Sequence, residues 1–182
     1  MALIVQKFGG TSVGTPERIK NVAARALATQ AAGNDVVVIV SAMSGETNRL
    51  LKLANDMTPL PDSREIDALA ATGEQVTAAL TAIAIQSLGG KARSFLGHQL
   101  KVLTDNAFTK ARIKAIDATR VMETIASGTI AVVAGFQDEL ARLLTADPDR
   151  LPEGQLAPRT GTPDEVGRRA AAAVHAQVIA AC

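Results

Sequence analysis

The sequence predicts an α/β fold: an αβα sandwich on a mainly parallel sheet. Apolar strand-like runs and helix-like stretches alternate from residue 2 to Phe136, the order that builds parallel sheets through right-handed crossovers. Within that order Val36 to Val40 are five consecutive β-branched residues. A run with no polar alternation suits a strand covered on both faces. The chain is 47% apolar but only 2% aromatic, so its core must be assembled from Ala, Val, Leu and Ile.

The elements follow in turn. Residues 2–6 form an apolar run that stops at Lys7 and reads as a buried strand. Thr15-Pro16-Glu17 has a capping hydroxyl, a proline at the first helical position and an acid in the first turn, which together start a helix. That helix should turn Ile19, Val22, Ala23, Ala26 and Leu27 inward and stop near Gly33. The strand at 36–40 follows, then a helix from Glu46 to about Asn55. "TPLPDS" is a loop. Ser63 can cap an Ala-rich helical region from Arg64 to about Leu88, broken near Gly73 and ended by Gly89-Gly90. Short strands fit 92–96 and 100–103. Asp117 can cap a helix that closes at Gly128, and 129–136 is another buried strand. After Gln137 the chain becomes rich in proline and charge. A short helix, a polar loop and a terminal helix from Pro163, capped by Thr162, are expected there.

Several function classes are disfavoured. A net charge of +1, with no basic run interleaved with rings, does not suggest a nucleic-acid or anionic-membrane partner. A single cysteine, Cys182, rules out an intrachain disulfide framework and fits a reducing, cytoplasmic setting. The stretch MALIVQKFGG has no charged leader before a long apolar run and does not read as a secretory signal. No uninterrupted run reaches the roughly 18 apolar residues of a membrane span. His98 and His175 lie far apart without further ligands at metal-site spacing, so no protein-built metal site is expected. Walker A, G-x-G-x-x-G and G-x-S-x-G patterns are absent.

Three stretches carry chemistry. KFGGTSVG places Lys7, Gly9, Gly10, Thr11 and Ser12 after the first strand. Glycines there let backbone N–H groups face an anion, and a lysine adds a point charge suited to phosphate. An ordinary strand-to-helix connection would look the same. VSAMSGETN crowds Ser41, Ser44, Thr47 and Asn48 at the end of a second buried strand. These groups can hold a small polar substrate, or Ser44 or Gly45 can simply start a helix. ATGEQV sets Glu74 among apolar helical neighbours, where it needs either a substrate ammonium or an internal Lys or Arg. In a parallel sheet the turns after the strands share one rim, so the first two stretches and the GFQ turn should meet.

In this order KFGGTSV (7–13), VSAMSGETN (40–48), ATGEQV (71–76), TDNAFTKARI (104–113) and GFQ (135–137) resemble the aspartokinases of the amino-acid kinase family, over roughly three-quarters of the chain. The resemblance implies an amino-acid kinase-like fold and phosphorylation of the aspartate side-chain carboxylate by ATP, with Mg²⁺ on the nucleotide. It implies that Lys7 is catalytic and that Lys7, Gly9, Gly10 and Ser12 face the phosphates. Ser41, Thr47 and Glu74 would hold the amino acid, Glu74 through its ammonium. A homodimer or partner subunit is also implied.

The sequence departs from this pattern after GFQ. A GRGGSD-like segment and a TDVDG-like stretch are missing. Residues 145–158 and 163–179 are similar to later family segments, as if an internal stretch had been deleted. The resemblance therefore implies an N-terminal lobe at 1–137 and a degenerate remnant of the C-terminal lobe, or a replacement tail, at 138–182. Three functions fit: a phosphotransferase, a catalytically impaired homologue that binds an amino acid or anion or serves assembly, and a repurposed enzyme of a specialised pathway.

Overall fold

A computed structural model describes residues 2–100, 103–104, 113–115 and 117–135. Most of TDNAFTKARI and the expected helices of the tail lie outside these residues. In chain order the elements are β1 (Leu3–Phe8), α1 (Pro16–Ala31), β2 (Asp35–Val40), α2 (Glu46–Met57), α3 (Ser63–Ser87), β3 (Ala92–Phe95), a 3-10 turn (Gly97–Leu100), β4 (Leu103–Thr104), β5 (Ile113–Ala115), α4 (Thr119–Ala126) and β6 (Ile130–Ala134).

The main sheet has the order β1-β2-β6-β3 and every pairing in it is parallel. β4 and β5 pair antiparallel as a separate ribbon. Residues 36–40 and 130–134 are buried throughout, as their unbroken apolar runs require. Alternate side chains feed two cores. Phe8, Val36, Val38, Val40, Val132 and Ala134 pack with α1 and α3. Val5, Val37, Ile39, Ala131 and Val133 pack on the other face with Leu100, Val121 and Ile125. The expected αβα layering is present.

Helix α1 starts as its sequence dictates. Thr15 is extended at φ −140°, its hydroxyl accepts from Arg18 N at 3.3 Å, and Pro16 opens the first turn. Ile19, Val22, Ala23 and Ala26 are buried, with Leu27 half-buried beside them.

Several local expectations are corrected. β1 does not stop at Lys7; pairing continues to Phe8 opposite Val40, because the ladder is set by the backbone and not by side-chain polarity. α3 is one unbroken helix through Gly73, and its cap is Asp62, whose carboxylate accepts from Arg64 N at 2.9 Å. Burial of a glycine against neighbouring elements outweighs its weak helix propensity. The strand expected at 100–103 is displaced to 103–104, and Leu100 instead ends a 3-10 turn over 97–100. β5 was not anticipated. Ala118 occupies the cap position of α4, while Asp117 still accepts from Thr119 N at 3.1 Å.

By length and composition α3 could cross a membrane, although no uninterrupted apolar run marks it in the sequence. Here it is a core helix. Thr77 and Thr81 are fully buried and bond back to the carbonyls of Gly73 and Thr77 at 3.1 and 2.8 Å, which satisfies their hydroxyls within the helix.

Ile39 is fully buried in the centre of the sheet, whereas Ile83 on α3 is 58% exposed. Ile39→Ala should cost about 2–5 kcal/mol, and Ile83→Ala should stay within about 0.5 kcal/mol of the unaltered chain. Urea unfolding of the two variants measures the difference.

Candidate functional site

The site forms where the strands end. A Cβ placed on Gly135 would lie 2.7 Å from Val40 O and 3.3 Å from Ser41 N, so the end of β6 presses on the end of β2. A Cβ on Gly10 would lie 2.8 Å from Ala42 O, and one on Gly14 would lie 3.1 Å from Ser44 Cβ. The β1–α1 turn therefore rests on the β2–α2 turn, and Ser41 N donates to Phe8 O at 3.1 Å. A Cβ on Gly73 would meet Ala42 Cβ at 3.1 Å and Glu46 Cγ and Leu50 Cδ1 at 3.3 Å, which brings the Glu74 turn of α3 to the same segment. The turns carrying Lys7, Ser41, Glu74 and Gly135 thus converge on residues 40–46.

Within this cluster the positions differ. Lys7 is half-buried near the end of β1. Its register partner is Ile39, so strand alternation puts it on the α4 face, opposite Phe8. Gly9 is exposed, with open space where a side chain would be. Ser12 N donates to Gly9 O at 2.9 Å and closes a tight turn. Ser41 is half-buried, Thr47 is exposed on the first turn of α2, and Glu74 is only 7% exposed. Lys7, Ser12 and Glu74 each already make at least one interaction within the chain.

The expectation that Ser44 or Gly45 starts a helix holds for Gly45. α2 begins from Gly45 at φ +80°, with no side-chain cap, and a glycine is the natural occupant of that left-handed backbone. Neither Ser44 nor Thr47 is used to start the helix.

The β2–α2 turn has its own charge pair. Arg49 Nε and Nη2 donate to the two oxygens of Glu46 at 2.8 and 2.7 Å. These hydrogen bonds hold the Glu46 carboxyl below the usual carboxylate value and raise the Arg49 guanidinium. The pair places Glu46, with its stem against Gly73, at the N-terminal turn of α2, where a carboxylate is favoured.

Some contributors were missed in the sequence. Arg18 Nη1 donates to Thr11 O and ties α1 to the β1–α1 turn. A cleft of about 320 Å³ beside that turn is lined by Phe8, Thr11, Ser12, Arg18, Asn21 and Arg25 among others. Gly14 and Ala42 were also overlooked as packing partners. The available signal for Ala42 was Gly73, a glycine inside a helical pattern that carries a propensity cost and here faces Ala42 closely.

The amino acid kinase family profile matches residues 2–180. The chain belongs to the amino acid kinase family. An aspartate kinase of Stutzerimonas stutzeri is 54% identical over 147 residues, covering 80% of this chain and 36% of that protein. The aspartokinase of Corynebacterium glutamicum is 51% identical over 137 residues, covering 75% and 32%. The chain thus spans about a third of the length of the curated relatives it matches. The crystal structure of Synechocystis aspartate kinase superposes with a TM-score of 0.62 at 43% identity, over 73% of this chain and 22% of that one. Escherichia coli aspartokinase III, solved with lysine and aspartate, gives a TM-score of 0.62 at 17% identity, over 72% and 40%, and shares the fold.

The Glu46–Arg49 pair predicts a pH effect. A carboxyl whose folded-state pKa is lowered adds stability above its unfolded-state pKa, and that stability is lost as pH falls through the folded value. Arg49→Ala should move the Glu46 titration, followed by carboxyl ¹³C NMR, to higher pH and reduce the loss of stability on acidification. An unmoved titration would show that the pair does not hold the carboxyl.

Proposed function

We propose that this chain carries the catalytic-lysine and amino-acid-binding part of an aspartokinase-type phosphotransferase site. Convergence of the Lys7, Ser41, Glu74 and Gly135 turns on residues 40–46 carries the reading. The names and about 50% identity of its relatives support it. Residues 1–137 act as the amino-acid-binding lobe. Residues 138–182 are a remnant of the C-terminal lobe, a view supported by the family match running to residue 180.

In this reading the amino acid lies against α3 and the β2–α2 turn. Glu74, buried beside the turn, accepts from its ammonium, and Ser41 and Thr47 bond its polar groups. Lys7 neutralises charge on the phosphoryl group, while backbone N–H groups at Gly9 and Gly10 and the Ser12 hydroxyl orient its oxygens. The open space at Gly9 leaves that backbone reachable by a phosphate, so the turn fits a nucleotide's terminal phosphate. ATP, with Mg²⁺ on its phosphates, would supply that group for transfer to the aspartate carboxylate oxygen, giving an acyl phosphate and ADP. Such transfer rests on positioning and charge neutralisation, not on a covalent protein group. The setting is cytoplasmic, with a homodimer or partner subunit as the working assembly.

One observation favours a second reading. The chain has no GRGGSD-like segment, and each missing transition-state donor typically costs a factor of about 10²–10³ in rate. A protein that retains the amino-acid pocket for binding or assembly, or for another reaction, follows from that loss.

The test mixes the full chain with ATP, Mg²⁺, aspartate and hydroxylamine and scores hydroxamate, alongside calorimetric titration with aspartate and with ATP. Hydroxamate supports the phosphotransferase; aspartate binding without hydroxamate supports the second reading. Glu74→Gln should weaken aspartate at least about tenfold, the scale of a lost charge-assisted hydrogen bond. Lys7→Ala should weaken ATP. Unchanged affinity in both variants refutes the site.

A further inference from the structure

We propose that Ala42 and Gly73 are a matched spacer pair that sets the distance between the β2–α2 turn and Glu74, making both positioning residues for the amino-acid part of the site. The inference rests on the reading that Glu74 binds an amino acid. Ala42 is 8% exposed and lies between two glycines on different elements. Its carbonyl oxygen would be 2.8 Å from a Cβ on Gly10, and its methyl carbon would be 3.1 Å from a Cβ on Gly73. One residue therefore separates the phosphate-side turn from the helix that carries the acid.

The two contacts differ in kind. At Gly10 the obstacle is a backbone oxygen, which no substitution at position 42 can remove. At Gly73 the obstacle nearest a new methyl is the Ala42 side chain, followed by the Glu46 stem and the Leu50 tip at 3.3 Å. Leu50 Cδ1 is a side-chain tip and Glu46 Cγ lies mid-stem on a side chain whose χ1 can turn, so each can give by a few tenths of an ångström; the Ala42 methyl, fixed to the turn, cannot. An extra methyl at position 73 therefore pushes α3 away from the turn and carries Glu74, the next residue, with it. Overpacked contacts are relieved by shifts of this sort, and small displacements of a binding group weaken recognition disproportionately.

The design predicts a specific rescue. Gly73→Ala should weaken aspartate, measured by calorimetry on the full chain, by about tenfold. Adding Ala42→Gly should move the methyl across the contact and restore affinity to within about threefold of the unaltered chain. Gly10→Ala should weaken ATP and should not be restored by Ala42→Gly. Thermal unfolding of each variant is read in parallel. A Gly73→Ala chain that melts earlier yet binds aspartate normally overturns the proposal, because the pair would then only stabilise the fold. Equal weakening in the single and double variants overturns it as well. If the unaltered chain does not bind aspartate, or if Glu74→Gln binds it as well as the unaltered chain, the reading of Glu74 fails and the spacer role goes with it. Aspartate binding that needs Glu74 but ignores positions 42 and 73 removes the spacer role alone.

Discussion

Residues 40–46 can be touched by three other segments only because those segments present glycine to them. Gly10, Gly73 and Gly135 approach so closely that a methyl group on any of them would fall within 2.7–3.1 Å of this turn. Carbon and oxygen atoms do not share such space without displacement, and close-packed interiors absorb displacement poorly. Backbone approach of this order joins three strand-end turns and one helix into one surface. It also removes freedom from the acid on α3 and from the turn after β1 relative to each other.

The sheet makes that approach possible. Four parallel strands end on the same side, so the turns after β1, β2 and β6 begin within a strand spacing or two of one another. The hydrophobic runs of β2 and β6 are covered by helices on both faces and provide a rigid base. Helix α3 adds the fourth element from the side. It packs on the sheet through Ala78, Ala82 and Ile85, all buried, while buried Gly73 meets Ala42, Glu46 and Leu50. Small side chains permit a short helix-to-sheet distance, and Glu74 is carried inward by the same packing.

Charge is arranged with economy in this cluster. The Glu46–Arg49 pair satisfies an acid at the start of α2, while Lys7 and Glu74 lie on other elements. Positive and negative groups on separate, mutually braced elements suit a ligand carrying both an anion and an ammonium. The chain covers about a third of the length of its curated relatives.

Much was legible in the residues themselves. The five β-branched residues of β2, the Thr15-Pro16-Glu17 start of α1 and the Gly33 and Gly128 stops are local signals, because strand burial and helix ends depend on a few neighbouring side chains and φ angles. The order of elements was enough for the sheet's parallel character and for the rim on which the turns lie. Other features were not local. Gly73 read as a break in a helix and proved to be a contact inside one; which role a glycine plays depends on what stands opposite it. The extension of β1 through Lys7 was set by pairing with Val40. The spacing of Ala42 between Gly10 and Gly73 joins residues up to 63 positions apart in the numbering, and no pattern along the chain encodes it. Sequence by itself determined the elements and the chemical groups they carry, since these follow from short-range propensity and burial. Tertiary structure alone decided which groups face one another, since that depends on distances between backbones that only packing defines.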